Sequence, residues 1–335
     1  MEPYVAGRLA VGAVALACLA HAASVGVKTL RYFRLRSSAE GQLALERYAE
    51  LGATTAKVGA VALAVALPSS ALTADRLAPS LRGAMCGWGV VHADRWGSAS
   101  MTSTVLAALL GLVVLQLHAL DRRTRGLALV RPLASLALLG ALVAAVDLAL
   151  AWRWLAGLDF SVVASCCSSG VDEAGGAARF AEPGPRALVA ALALALGGAT
   201  IALGGLLSRR PSRGLARGAG VLALLALPAL LTAIALVVAP HVYEVPHHRC
   251  PYCLLRADAW FLGYGLFGAA LVGVGSALAL GLASLIAPAD EPDVVGAFAR
   301  AGGARTAAAL GVALSLGALP VVRYLALSGG ASLGP

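Results

Sequence analysis

Residues 101–152 read MTSTVLAALLGLVVLQLHALDRRTRGLALVRPLASLALLGALVAAVDLALAW. An apolar run whose only ionisable side chain is His118 leads into a basic stretch at Arg122, Arg123 and Arg125, and a second apolar run follows, interrupted by Asp147. Each run is close to the roughly 20 apolar residues a helix needs to cross the hydrocarbon of a bilayer. A span, a short charged connection and a second span are therefore the first reading.

The pattern recurs along the chain. Hydrophobic residues fill 59% of the 335 positions and charged residues 13%. Such a composition belongs to a multi-spanning membrane protein rather than to a soluble domain around one core. We place eight spans, at 4–27, 51–73, 98–120, 131–152, 187–207, 218–240, 259–287 and 306–327. The expected fold is an all-α polytopic bundle forming one transmembrane domain over 1–335, with the lipid bilayer as its surroundings. The second span carries Lys57 and Pro68, which suit either a full crossing or a re-entrant or interfacial segment. The first begins at residue 4 without a charged leader or a clear cleavage site, and it reads as a retained helix.

A formal charge of +9 would suggest a nucleic-acid partner in a soluble chain. Here it has another source, because Lys and Arg gather in cytoplasmic connections. The odd-numbered connections hold fifteen of them and the even-numbered ones eight, so both termini are expected to face outward and no nucleic acid is expected. Cys86, Cys166, Cys167, Cys250 and Cys253 all fall in even-numbered connections, and only Cys18 lies in a span. The expected setting is an inner membrane with these five thiols on its periplasmic side, where disulfides persist.

Lys57, His118 and Asp147 are ionisable residues within spans, where charge is costly and often marks a pathway. His118 is near enough to the inner end to reach the interface. Asp147 is a candidate functional carboxylate or the partner of Lys57. In the seventh span Gly265, Ala269, Gly273 and Ala277 form a smooth stripe suited to close helix approach. RRTRGLA from Arg122 resembles RRPSRGLA from Arg209, which points either to a duplicated unit or to coincidence in a chain rich in Arg, Gly and Leu. Trp88, Trp96, Trp152, Trp154 and Trp260 fall near outward helix ends, as an aromatic belt would.

The chemistry gathers at HHRCPYCLLR, residues 247–256. A C-x-x-C pair whose second cysteine opens a helix places both sulfurs on one face near the positive end of the dipole. Arg249 and Arg256 flank it, and thiolates stabilised in this way exchange readily. The stretch CPYCLLRADAWFLGY resembles the DsbB family of quinone-reducing membrane thiol oxidoreductases and is similar, more loosely, to the vitamin K epoxide reductase family. That resemblance implies that Cys250 and Cys253 pass electrons to a quinone held with the help of Arg256. It also implies that Cys166, Cys167 and Cys86 are the loop cysteines that exchange with a periplasmic thioredoxin-like partner. The chain departs from those families in having eight rather than about four helices and in its vicinal Cys166 and Cys167.

Two other readings stand beside this one. Soft thiolates near imidazoles bind copper or zinc, and Cys166, Cys167, His247, His248, Cys250 and Cys253 could form such a set, with His92 and His241 also in outward connections. Alternatively the cysteines staple loops, for example Cys86 to Cys166 and Cys167 to Cys250, in an accessory subunit of a membrane complex. Covalent haem is disfavoured because Leu254 follows Cys253. No P-loop, dinucleotide fingerprint, HExxH or serine nucleophile motif occurs.

Overall fold

The computed structural model describes residues 2–33, 40–125, 128–161, 183–246, 248–331 and 333. Among them there is no strand. The helices are α1 (Pro3–Tyr32), α2 (Glu40–Leu77), the short α3 (Gly87–His92), α4 (Gly97–Asp121), α5 (Val130–Gly157), α6 (Pro183–Arg209), α7 (Arg213–Ala233), the short α8 (Ala239–Tyr243), α9 (Leu262–Ile286) and α10 (Pro292–Leu327). Eight stretches are long and apolar enough to cross a membrane, with α7 and α8 joined in one of them. On these helices Leu142, Leu188, Val221, Leu224 and Val322 are each about 60% exposed. Apolar side chains turned outward along helices that satisfy their own backbone are what lipid requires. The protein is a multi-pass membrane protein.

The second span is one continuous helix, so the re-entrant alternative falls. Pro68 lies inside α2, and the hydroxyls of Ser69 and Thr73 bond backbone carbonyls beside it. A different solution serves Pro240. It has no N–H to give, and α7 widens into a π turn at Ile234–Val238 before continuing as α8 towards the cysteine loop.

The chain divides into two compact units. The first comprises Met1–Thr73, Asp94–Leu158 and Leu282–Ala299. Its core joins Ala15 and Leu19 of α1, Ala62 and Leu63 of α2, Ala107 of α4 and Ala144 of α5. Close approach depends on small residues: a Cβ on Gly111 would run into the Ala60 carbonyl oxygen. Into this apolar packing the four helices insert one polar cross. Arg8 Nη2 meets Asp147 Oδ2 at 2.6 Å and Thr104 Oγ1 at 3.2 Å, Arg8 Nε donates to Ser70 Oγ, and Thr104 Oγ1 donates to Asp147 Oδ1 at 2.6 Å. Arg8 is 0% and Asp147 1% exposed. Asp147 is therefore the counter-ion of Arg8, not of Lys57. A carboxylate in hydrocarbon takes the cation that can offer several donors at once.

His118 is buried and lines a cavity of about 90 Å³ with Asp121, Glu46 and Glu50. One expectation changes in this unit. Trp154 is fully buried and does not join an aromatic belt, whereas Trp152 is exposed.

The second unit comprises Ala74–Ala93, Asp159–Gly281 and Arg300–Pro335. Here α6 packs on α7, and Gly220 of α7 meets Gly281 of α9 backbone to backbone, with a Cβ on Gly220 falling 3.0 Å from the Gly281 Cα. The stripe on α9 is a helix contact. Gly273 lies against Leu310 of α10, Gly265 reaches Leu316, and Ala277 is fully buried. A core of Ile234, Val238, Ala239, Leu254, Leu266, Ala270 and Ala313 runs from these helices up to the cysteine loop.

Candidate thiol site

Two connections of the second unit build the site. The first leaves α2 through a 3-10 turn at Ala78–Ser80, bends at Gly83 (φ +79°) and enters α3 with Cys86 as the extended residue at its N-terminus. The second leaves α8 at Glu244, which is left-handed (φ 55°), and His248 N closes a turn onto the Val245 carbonyl. Cys250, Pro251 and Tyr252 follow, then 3-10 turns at Cys253–Leu255 and Ala257–Ala259. Left-handed Trp260 and Phe261 then turn the chain into α9.

The C-x-x-C pair thus precedes α9 by a full loop, and Cys253 opens a 3-10 turn rather than the transmembrane helix. The dipole of a long helix does not act on it. Instead the neighbouring sulfurs and burial decide. The Cys250 thiol favours the Cys253 thiolate, but the Cys86 sulfur, burial and the Cys86 charge outweigh it and push the Cys253 thiol well above its ordinary range.

The sulfurs of Cys86, Cys250 and Cys253 all lie within 4.8 Å of one another, and all three residues are buried. Cys86 Sγ and Cys250 Sγ are 3.2 Å apart across 164 residues of sequence. No disulfide links the four described cysteines. Three pairings register the two connections against each other. Arg256 Nη1 donates to the Met85 carbonyl at 3.2 Å, Cys250 meets Cys86, and the Tyr252 ring lies on Gly87. Tyr243 Oη supports the pair from below, donating to the Cys253 carbonyl at 2.8 Å.

Two polar atoms of the site have no hydrogen-bond partner among the described residues: His248 Nε2 and Tyr252 Oη, both buried. The His248 ring rests on Tyr243 with centroids 4.2 Å apart. Burial lowers its pKa despite the negative charges of Cys86 and Asp258, so at neutral pH the imidazole is uncharged. Burial likewise raises Tyr252, and the Cys250 and Cys86 charges add to it.

Of the residues expected from sequence, Cys86, Cys250, Cys253 and Arg256 come together. Cys166, Cys167 and His247 lie outside the described residues. His92 and His241 are engaged elsewhere: His92 Nδ1 bonds the Trp88 carbonyl and stacks on that indole, and His241 Nδ1 bonds the Val237 carbonyl at 2.6 Å. Sequence reasoning passed over Tyr252. An aromatic side chain between two cysteines whose loop must meet the glycine after a third, Gly87, was the available signal.

The chain is thus a helical membrane protein with a buried three-thiol centre assembled from two connections of one compact unit. No protein-family model, curated protein or solved structure matches it.

Proposed function

We propose that the protein is a membrane thiol-disulfide oxidoreductase that moves electrons from external thiols through Cys86, Cys250 and Cys253 to a quinone. The observation that carries this reading is the count and spacing of the sulfurs. Exchange within a protein needs three of them, one attacking and two in a disulfide, and three lie within 4.8 Å. A staple needs only two.

Cys250 and Cys253 give up two electrons and two protons to the acceptor and join as a disulfide. The Cys86 thiolate then attacks Cys250 Sγ; the Cys250–Cys253 bond breaks, a Cys86–Cys250 bond forms, and Cys253 leaves and takes up a proton. The Cys86 sulfur and burial together make the neutral thiol the comfortable state of Cys253, which favours this arrangement. A thiolate then attacks Cys86, and a second thiol resolves the mixed disulfide, so that one external dithiol is oxidised per turnover. Because Cys86 is fully buried, the electrons of a thioredoxin-like partner reach it through Cys166 or Cys167.

A quinone, when bound, supplies the sink for two electrons and two protons. Arg256 suits its carbonyl: the guanidinium is half exposed and already tied to the Cys86 connection through Met85. The cysteine-bearing connections face the oxidising side of the membrane, consistent with the basic residues gathered in the others.

Thiol trapping with mass spectrometry in native membranes tests the reading. Expected is a disulfide within the cluster that appears on adding quinone and disappears with a dithiol, and that Cys253→Ser no longer couples to quinone. Thiols that stay reduced under quinone overturn it.

The same cluster supports a second reading, a thiolate site for copper or zinc. Metal–sulfur bonds of about 2.3 Å need sulfurs gathered to this degree, and His248, whose Nε2 has no hydrogen-bond partner among the described residues, lies on the same connection. Metal that co-purifies with reduced protein and is absent from Cys86→Ser would favour it.

A further inference from the structure

Three sulfurs can form three different disulfides, and the packing around them is not symmetrical. Gly87, the residue after Cys86, has no side chain, and the ring of Tyr252 occupies the place where one would be. A Cβ built on Gly87 would lie 2.6 Å from Tyr252 Cδ1, 2.8 Å from Cε1 and 3.1 Å from the Cβ of Ala74. Both Tyr252 and Gly87 are buried. The ring is held by this contact and not by its hydroxyl, since Tyr252 Oη has no hydrogen-bond partner among the described residues. It lies two residues from Cys250 and one from Cys253, so its seat on Gly87 fixes where the C-x-x-C turn stands relative to Cys86.

We propose that the Gly87–Tyr252 contact selects the disulfide: it holds Cys250 against Cys86 and so makes Cys86–Cys250, rather than Cys250–Cys253, the favoured oxidised pair. Tyr252 is a positioning residue, acting through its ring. Any side chain at Gly87 pushes the ring, and with it the C-x-x-C turn, away from Cys86, leaving the two cysteines of the turn to pair with each other. The proposal deepens the thiol-exchange reading and rests on it for its redox readout.

The test uses the full-length protein in detergent with a chelator present, poised in glutathione buffers. Two glutathiones are formed from each glutathione disulfide as one protein disulfide closes. Peptide mapping gives the ratio of Cys86–Cys250 to Cys250–Cys253. In the unaltered protein Cys86–Cys250 predominates. Gly87→Ala lowers the ratio by about tenfold, the lower end of what an added methyl costs in a close-packed site. Tyr252→Phe leaves it unchanged, because the ring stays and only an unpartnered hydroxyl goes. Tyr252→Leu lowers it from the other side of the contact, and adding Tyr252→Leu to Gly87→Ala restores part of what Gly87→Ala lost, since the clash is gone. A ratio unmoved by Gly87→Ala and Tyr252→Leu overturns the proposal, as does a loss in Tyr252→Phe equal to that in Tyr252→Leu.

A bifunctional bimane that bridges neighbouring thiols reads the same geometry without oxidation. If glutathione disulfide forms no disulfide in the unaltered protein, the exchange reading fails. Loss of Cys86–Cys250 bridging in Gly87→Ala then still upholds the contact, and unchanged bridging removes it.

Discussion

The polar cross of the first unit and the thiol cluster of the second are both buried groups of reactive or ionisable side chains, yet they are finished differently. In the cross, the carboxylate of Asp147 accepts from Arg8, Thr104 and Ser103, and Arg8 also bonds Ser70. Charge is balanced and, apart from Arg8 Nη1, the bonding is internal. Around the thiols, Tyr252 Oη and His248 Nε2 have no hydrogen-bond partner among the described residues, and three of the described sulfurs meet. A buried ion pair with its hydroxyl partners fixes which helices meet, while sulfurs gathered at a loop leave chemistry to be done.

The largest effect expected is chemical. Cys250→Ser removes the sulfur that both proposed disulfides share, and quinone-coupled thiol oxidation falls to the uncatalysed rate while the protein still accumulates in membranes. Normal turnover in that variant would dissolve the contrast drawn above. Next comes the cross itself. Asp147→Leu strands the Arg8 charge in the first unit and costs about 3–5 kcal/mol, seen as loss of folded protein in a detergent thermal-stability assay. Replacing both, Arg8→Met with Asp147→Leu, restores most of that stability, because an apolar pair can take the place of a buried ion pair. If the double variant is stable yet thiol oxidation is lost, the cross is more than a structural tie.

These two regions also differ in how far the sequence announces them. The spans were legible because apolar runs of membrane length leave few alternatives, and Asp147 stood out as a lone carboxylate in one of them. Its partner did not. Arg8 is five residues into α1, where no neighbouring residue marks it as an ion-pair partner, and only the packing of α1 against α5 carries it to Asp147. The thiol pair was visible as a C-x-x-C motif, but the neighbour of Cys250 lies 164 residues away and no local pattern encodes that distance. The start of α9 was blurred for a physical reason as well. Trp260 and Phe261 are apolar enough to extend the run, yet both adopt left-handed backbone and hold the helix back until Leu262.

A smaller effect separates the hydroxyls of the cross from its charges. Thr104→Val keeps the shape but removes a group that both accepts from Arg8 and donates to Asp147, and it should cost about 1–3 kcal/mol in the same assay. A loss as large as that of Asp147→Leu would mean that the hydroxyl, rather than the ion pair, organises the four helices.

The smallest effect is a displacement in pH and sharpens the reading of the thiols. The Cys86 sulfur and burial raise the pKa of Cys253, so the folded protein holds that proton through a range in which an unfolded thiol, with a pKa of about 8.5, has lost it. Alkylation of Cys253 in the reduced protein should therefore remain slow at pH 9 and accelerate only at higher pH, whereas in denaturant it follows an ordinary thiol. The sign for stability is the same: the folded state binds more protons in this window, so stability contributed by Cys253 is present below about pH 8.5 and declines as the pH rises towards the folded pKa. Cys86→Ala removes a cause of the shift and should move the alkylation profile of Cys253 to lower pH. A profile that does not move would mean that burial alone sets the Cys253 thiol, and that the three sulfurs do not titrate as one cluster.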